Sequence, residues 1–345
     1  MSAPGEKVRW GIVGTGKIAR IVAGALRESR CGELVAVGSR DRDRAEAFAA
    51  SLGGPRALNY REVVEDPDVE IVYVATHHPW HREWAIRAAE AGRSVLCEKP
   101  IGMSRADAVE IVDAARRNDV FLMEAFAYRC HPQTYRLLEL LRSKRIGDVR
   151  MVDAVFGYDA SSSPSNYLLV RDLGGGSILD VGCYTTSMGH LVAAAAAGVP
   201  VVQTVEVAAA ASIGPEGVDD ASGATLVFEG GLLARVACSI KANLQSCVRI
   251  FGSEGWIEVP SPWLPGRLRR EAPIRVERWD APSETIEVPV DADVYGVEVD
   301  AVSRFVRDGV RSPAAMPWEE SVANMGTLDR WRSAIGLRHP GKAAG

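Results

Sequence analysis

The sequence predicts an α/β protein: an N-terminal doubly wound domain on a parallel sheet, then an α+β domain with a large, mostly antiparallel sheet. Three observations predict it. Apolar, β-branched runs alternate with helical periodicity as far as Glu124. Beyond that point the rhythm changes to consecutive short strands joined by turns. Finally, 345 residues are too many for one ordinary core and suit two, since domains usually run ~100–200 residues. The expected division is residues 1–124 and 125–345.

Val8–Val13 reads as the first strand, followed by a helix from Lys17 to Glu28. Leu34–Gly38 is a second strand, and Asp41–Leu52 a helix rich in Ala, Arg and Glu. Val69–Ala75 is a near-continuous apolar run, followed by a helix over Pro79–Ala91 that Gly92 stops. Ser94–Cys97 is a further strand, Ser104–Asn118 a helix, and Val120–Met123 closes the series. Such alternation implies βαβ crossovers and a parallel sheet covered on both faces. In the second half a helix over Gln133–Arg145 precedes a strand, Val149–Tyr158. A Ser-rich loop, Ser161–Ser165, leads to Gly174-Gly175-Gly176 and a helix over Ile178–Ala197. Strand-like runs follow at Val201–Ala208, Ala224–Phe228, Leu232–Ile240, Val248–Phe251 and Trp256–Val259, and Glu229-Gly230-Gly231 is a hairpin signal. Two more strands, Ile274–Arg278 and Thr285–Val290, precede helices over Gly296–Arg307 and Pro317–Ile335.

Composition narrows the function classes. Hydrophobic residues make up 47% and charged residues 25%, as in an ordinary globular protein. Net charge is −5 and no Lys/Arg block stands out, which argues against nucleic acid or an anionic membrane as partner. Met1–Lys7 lacks the apolar core of a signal peptide. Gly198, Pro200, Gln203 and Glu206 interrupt the longest apolar stretch, so no membrane span is expected. Six cysteines are scattered singly without CxxC, which reads as reduced thiols in a cytoplasmic protein. His77 and His81 stand four apart, but a metal site would need a carboxylate or thiolate from elsewhere. No metal is expected.

Gly14-Thr15-Gly16-Lys17-Ile18-Ala19 follows the first strand and opens the first helix, the context that gives a G-x-G-x-x-A fingerprint its meaning. Gly14 permits the tight turn, Gly16 lets backbone approach a pyrophosphate, and Ala19 permits close helix–strand packing. Free N–H groups at the helix start attract phosphate. This is a Rossmann-type dinucleotide site. Where an NAD-selective enzyme places Asp or Glu, the second strand ends in Ser39-Arg40, which suits the 2′-phosphate of NADP(H). Asp41 and Asp43 read as the start of the next helix, where acidic side chains favour the dipole. The alternative for Arg40 is a solvated surface residue.

These motifs, with Ala75-Thr76 and His81, then Cys97-Glu98-Lys99-Pro100, resemble the glucose–fructose oxidoreductase and inositol dehydrogenase (Gfo/Idh/MocA) family. Glu124–Pro132 and Gly175–Tyr184 are most similar to the branch of NADP-dependent xylose dehydrogenase, dihydrodiol dehydrogenase and ketosugar reductases. The resemblance covers nearly the whole chain, to Gly336-Leu337. It implies that Thr76, His78, His81, Glu98 and Lys99 join the fingerprint around the cofactor. It also implies that Asp180 and Tyr184, four apart on one helical face, point at the nicotinamide. The family has His or Tyr at the second position, and this chain has Tyr.

Oxidising a secondary alcohol removes the hydroxyl proton as hydride leaves carbon. Tyr184 is therefore cast as general acid/base, Lys99 as its electrostatic partner and Asp180 as the substrate-hydroxyl anchor. The alternative for Tyr184 is a packed aromatic. Tyr128, Arg129 and His131 are candidates for substrate contact and equally for packing, while His190 reads as structural. Cys97 and Cys183 read as wall residues, not nucleophiles. The expected reaction is NADP(H)-dependent hydride transfer with a secondary alcohol or ketone of a sugar or cyclitol. The competing readings are a trans-dihydrodiol or other non-sugar alcohol dehydrogenase, and a silent NADP-binding sensor or assembly protein. Family members pair through the outer face of the second domain's sheet. Here Ala224–Phe228 and Leu232–Ile240 read as apolar on both faces, so a homo-oligomer, dimer or tetramer, is expected.

Overall fold

The computed structural model describes residues 6–161, 166–267 and 271–337. Most of the Ser-rich loop expected at 161–165 therefore lies outside the described residues. In chain order the first elements are β1 (Val8–Val13), α1 (Lys17–Glu28), β2 (Gly32–Gly38), α2 (Arg42–Ala50), β3 (Arg56–Leu58) and α3 (Tyr60–Glu65). There follow β4 (Ile71–Val74), α4 (His81–Glu90), β5 (Ser94–Glu98), α5 (Arg105–Arg117) and β6 (Leu122–Ala125). Then come α6 (Pro132–Arg142), β7 (Val149–Gly157), α7 (Cys183–Ala197), β8 (Thr204–Ile213), β9 (Asp219–Phe228) and β10 (Leu233–Ser239). The last are β11 (Cys247–Gly252), β12 (Gly255–Val259), β13 (Glu271–Arg278), β14 (Ala281–Pro289), α8 (Val294–Arg307) and α9 (Trp318–Ala334).

The chain forms two compact units. The first runs to Gly102 and adds Ala106–His131 and Asp291–Trp318; the second comprises Met103–Arg105, Pro132–Val290 and the chain from Glu319 on. The division expected at 124/125 differs in three ways: the crossing falls after His131, a late segment joins the first unit, and Met103–Arg105 group with the second. Long-range contacts cause the second difference. The Trp10 indole donates to Ser303 Oγ at 3.1 Å, Leu122 N–H to the Arg311 carbonyl at 3.1 Å, and the Trp318 indole to the Leu122 carbonyl at 3.0 Å. Val299 and Val302 of α8 are fully buried.

The first unit's sheet has the order β3-β2-β1-β4-β5-β6, with every pair parallel. Such a sheet binds ligands beyond the carboxyl ends of its strands, near the point where strand order reverses. The loops after β1, β2, β4 and β5 all open at that edge. β3 and α3, absent from the sequence reading, are three and six residues long, too short to show a period. The missed signal is the capping box of Asn59 and Glu62.

The second unit's sheet has the order β14-β13-β12-β11-β7-β10-β9-β8, antiparallel except for the β7–β10 pair. α7 is buried from Cys183 to Ala194, which makes it a core helix apolar on nearly every side. The helix expected from Ile178 instead starts with a π-helical turn over Ile178–Gly182. The opposite sheet face is not apolar throughout, contrary to expectation. One row across it carries Leu233, Met151, Phe251 and Trp256, while the next alternates Arg235, Asp153, Arg249, Glu258 and Arg275. Ion pairs link that second row. No helix among the described residues is long and apolar enough to cross a membrane.

Candidate active site

In the first unit the turn from β1 into α1 fits a pyrophosphate. Gly14 has φ +126°, and a Cβ there would lie 2.4 Å from the Ala75 carbonyl oxygen, so only glycine lets this turn pass the end of β4. Gly16 is the N-cap of α1, and a Cβ on it would meet nothing within 4 Å. No side chain caps the helix and its first turn holds no acid, so its positive dipole end has no anionic partner from the helix itself. Thr15 and Ile18 are half-buried and Lys17 is exposed. Ala19 is fully buried, as close helix–strand packing requires.

At the end of β2 the Ser39 side chain is buried and accepts from Asp41 N–H at 3.3 Å. Asp41 in turn caps α2 by accepting from Arg44 N–H, and Asp43 lies in the first turn, so both acids begin the helix. Arg40 is exposed, with its guanidinium carbon 5.1 Å from the Trp80 ring centre; burial raises the Tyr60 phenol above its ordinary value, and the Arg40 charge pulls the other way. Burial, then Arg40 and Arg44, hold His77 below its ordinary value. The strand end is a positive corner in which an anionic group would be stabilised.

The loops after β4 and β5 are tied by His81. Its ring is fully buried, with Nδ1 2.8 Å from the Pro100 carbonyl and Nε2 3.0 Å from the Thr76 carbonyl. Burial pulls its pKa down to about 4 although both carbonyls favour the charged ring, and the neutral ring's single N–H donates to one of the two. His81, which the resemblance places at the cofactor, lies buried between the loops that follow β4 and β5. The Thr76 hydroxyl donates to the His77 carbonyl, and His78 is buried with its ring 5.6 Å from that of His81. Glu98 accepts a short hydrogen bond from Tyr73 and one from Lys99 N–H at 3.2 Å. Burial and the Glu98 charge push the Tyr73 phenol well above its ordinary value. Lys99 is half-buried and its peptide bond to Pro100 is cis. Cys97 is fully buried, and burial holds its thiol well up, consistent with a wall residue. Tyr128 and Arg129, expected as substrate contacts, lie in the interior, and Arg129 Nε donates to the Ala315 carbonyl at 2.8 Å.

In the second unit Gly176 has φ +110° and a Cβ on it would come within 2.2 Å of Asp219 Oδ1. Its absence admits Asp219, which accepts from Ser177 Oγ and Ile178 N–H, each at 2.7 Å, and starts the helical segment. That segment carries Asp180 in its π-helical turn and Tyr184 in the first turn of α7, 5% and 8% exposed. Asp180 Oδ2 accepts from the Tyr158 hydroxyl at 2.5 Å. The Tyr184 ring meets Phe156 edge-on at 5.3 Å and Trp263 at 5.9 Å, and Phe156 and Trp263 stack at 5.6 Å and 18°. A carboxylate and a phenol thus stand on one wall beside an aromatic pair. Phe156, Tyr158 and Trp263 escaped the sequence reading. The alternation of Phe156 in β7 with Tyr158 just after it is the signal that could have found the first two. His190 is structural as expected, with its nitrogens at the Val202 carbonyl and Thr327 Oγ1.

Comparison with known proteins agrees with this architecture. Residues 8–126 match the model of an oxidoreductase family with an NAD-binding Rossmann fold, and residues 135–258 match the GFO/IDH/MocA C-terminal domain. The chain is 33% identical to mouse (Mus musculus) trans-1,2-dihydrobenzene-1,2-diol dehydrogenase over 339 residues, covering 96% of this chain and 98% of that protein. An uncharacterized oxidoreductase of Rhizobium meliloti is 32% identical, covering 91% and 93%. Among solved structures, the 3-ketoreductase KijD10 of Actinomadura kijaniata, in complex with NADP and TDP-benzene, superposes with a TM-score of 0.85 at 26% identity, covering 96% and 98%. Fingerprint, sheet order and whole-length relatives lead to one assignment: the chain is an oxidoreductase of the Gfo/Idh/MocA family, with an NAD-binding Rossmann domain followed by the family's C-terminal domain.

Proposed function

We propose that the protein is an NADP(H)-dependent oxidoreductase acting on a secondary alcohol or ketone of a cyclic polyol. Sugars, cyclitols and trans-dihydrodiols all belong to that class. The observation that carries this reading is the pairing of Asp180 and Tyr184 on one wall of the second unit, beside the stacked Phe156 and Trp263. When bound, the nicotinamide accepts or donates the hydride. Tyr184 takes the hydroxyl proton in oxidation and returns one in reduction, Lys99 favours its phenolate by charge, and Asp180 accepts a hydrogen bond from a substrate hydroxyl. Gly14–Ile18 hold the pyrophosphate. Arg40, with Ser39 behind it, takes the 2′-phosphate, while Thr76, His78, Glu98 and Lys99 form the remaining cofactor wall and His81 braces it.

The names of the relatives support this class from two sides: one is a dihydrodiol dehydrogenase, the other a ketoreductase crystallised with NADP. The aromatic pair favours the dihydrodiol as the second specific substrate reading, because the planar diene half of its ring would pack on the half-buried Phe156. The proposed assembly is a homo-oligomer joined through the row of Leu233, Met151, Phe251 and Trp256 on the open sheet face. Absorbance at 340 nm with NADP+ and NAD+ tests the activity, using D-xylose, myo-inositol and trans-1,2-dihydrobenzene-1,2-diol. Substrate-dependent NADPH formation is expected with at least one of them. Tight NADPH binding without turnover on any polyol or ketose would favour the silent sensor instead.

A further inference from the structure

We infer that Tyr158 is a positioning residue for the reaction: its hydroxyl fixes the Asp180 carboxylate in the orientation that receives the substrate. The inference rests on the reading of Asp180 as substrate anchor. Two residues along a strand advance about 6.6 Å, and four along a helix about 6 Å. β7 with the residue that follows it, and the segment entering α7, exploit that match. Phe156 meets the Tyr184 ring at 5.3 Å, and two residues on, Tyr158 meets Asp180 at 2.5 Å. The strand therefore presents a different partner to each member of the pair: an apolar edge to the phenol, a hydroxyl to the carboxylate.

The chemistry separates the two tyrosines. An O–H···O contact of 2.5 Å falls within the range of hydrogen bonds to an ionised acceptor. Losing the Tyr158 proton would set a phenolate against a carboxylate at that distance, so Tyr158 stays a donor and does not serve as the base. Tyr184 has ring partners without formal charge in Phe156 and Trp263, and its ionisation meets no such opposition from them. A donor on Oδ2 also sets the carboxylate plane. Misplacing such a group by about 1 Å can cost 10²-fold in rate.

The test is a cycle of Tyr158→Phe, Asp180→Asn and the double variant. It is run with NADP+ and trans-1,2-dihydrobenzene-1,2-diol, and in parallel with D-xylose. Tyr158→Phe is expected to lower kcat about 10- to 100-fold with NADPH affinity and melting temperature unchanged. The double variant should be little worse than Asp180→Asn alone, because the residues act as a unit. Parental turnover of Tyr158→Phe beside an impaired Asp180→Asn overturns the inference and leaves the anchor reading standing. Parental turnover of both variants removes the anchor reading itself, and the inference with it. If Tyr158→Phe does not fold, 3-fluorotyrosine placed at 158 reports without turnover. Its fluorine resonance should move when Asp180 becomes Asn, and a resonance that stays in place overturns the inference.

Discussion

Removing the Arg40 guanidinium should change which cofactor the protein prefers while leaving the fold intact. The side chain is exposed and rests on the Trp80 ring at 5.1 Å, a contact worth about 0.5–1 kcal/mol at such a site. Against the 2′-phosphate it would supply a charge-assisted hydrogen bond worth about 1.5–3 kcal/mol. That range is roughly a 10- to 150-fold change in affinity, at ~1.4 kcal/mol per decade. NADH lacks the phosphate, and the ring contact lies within the protein whether or not a cofactor is bound, so NADH binding should be nearly unchanged. Arg44 adds to the same positive field, as its effect on His77 indicates, and would retain part of the attraction. Arg40→Ala should therefore fall in the lower half of the range, and Arg40→Ala with Arg44→Ala in the upper half. The assay is quenching of protein fluorescence by NADPH and by NADH at two ionic strengths, with the loss smaller at high salt. An NADPH/NADH affinity ratio that stays at the parental value would refute the reasoning.

Burial pushes the Asp219 carboxyl up to about 6 from 3.8, although Ser177, Ile178 N–H and Arg332 pull the other way. A raised folded pKa stabilises the fold while the group is protonated, and that contribution is lost as pH rises through about 6. Asp219→Asn keeps an acceptor for Ser177 and Ile178, so it should raise unfolding free energy by about 1–3 kcal/mol at pH 7.5. The gain should vanish near pH 4; a variant less stable at pH 7.5, with the parental pH slope in denaturant melts, would contradict this. Light scattering at micromolar concentration should give at least twice the 37.1 kDa chain mass, and Leu233→Glu with Phe251→Glu should return it to one chain. A single-chain mass for the parent would exclude the proposed sheet interface.

Much of this was legible in sequence because its causes are local. β1 and α1 fall where apolar periodicity and the glycine fingerprint put them. Asp41 and Asp43 begin α2 because a helix start favours acids wherever it lies. What was not legible depends on residues far apart in the chain. The return of α8 to the first unit depends on Trp10 meeting Ser303 across 293 positions, which no local period encodes. The resemblance places His81 at the cofactor, and only the fold brings the Thr76 and Pro100 carbonyls to its two ring nitrogens. Substrate contact and packing stood equally open for Tyr128 and Arg129 in the sequence, and only the fold shows them 0% and 2% exposed. The aromatic surroundings of Tyr184 come from β7 and from residue 263, so their meeting is a product of topology.

The central claim is that Tyr184 moves the proton, and Tyr184→Phe tests it most directly. The substitution keeps the ring, its edge contacts to Phe156 and Trp263, and therefore the packing. It deletes only the hydroxyl. Single-turnover and steady-state rates at 340 nm should show kcat lowered by about 10²–10⁴-fold, the usual share of general acid–base catalysis, with NADPH affinity unchanged. Parental kcat in a folded, NADPH-binding Tyr184→Phe protein would contradict the account.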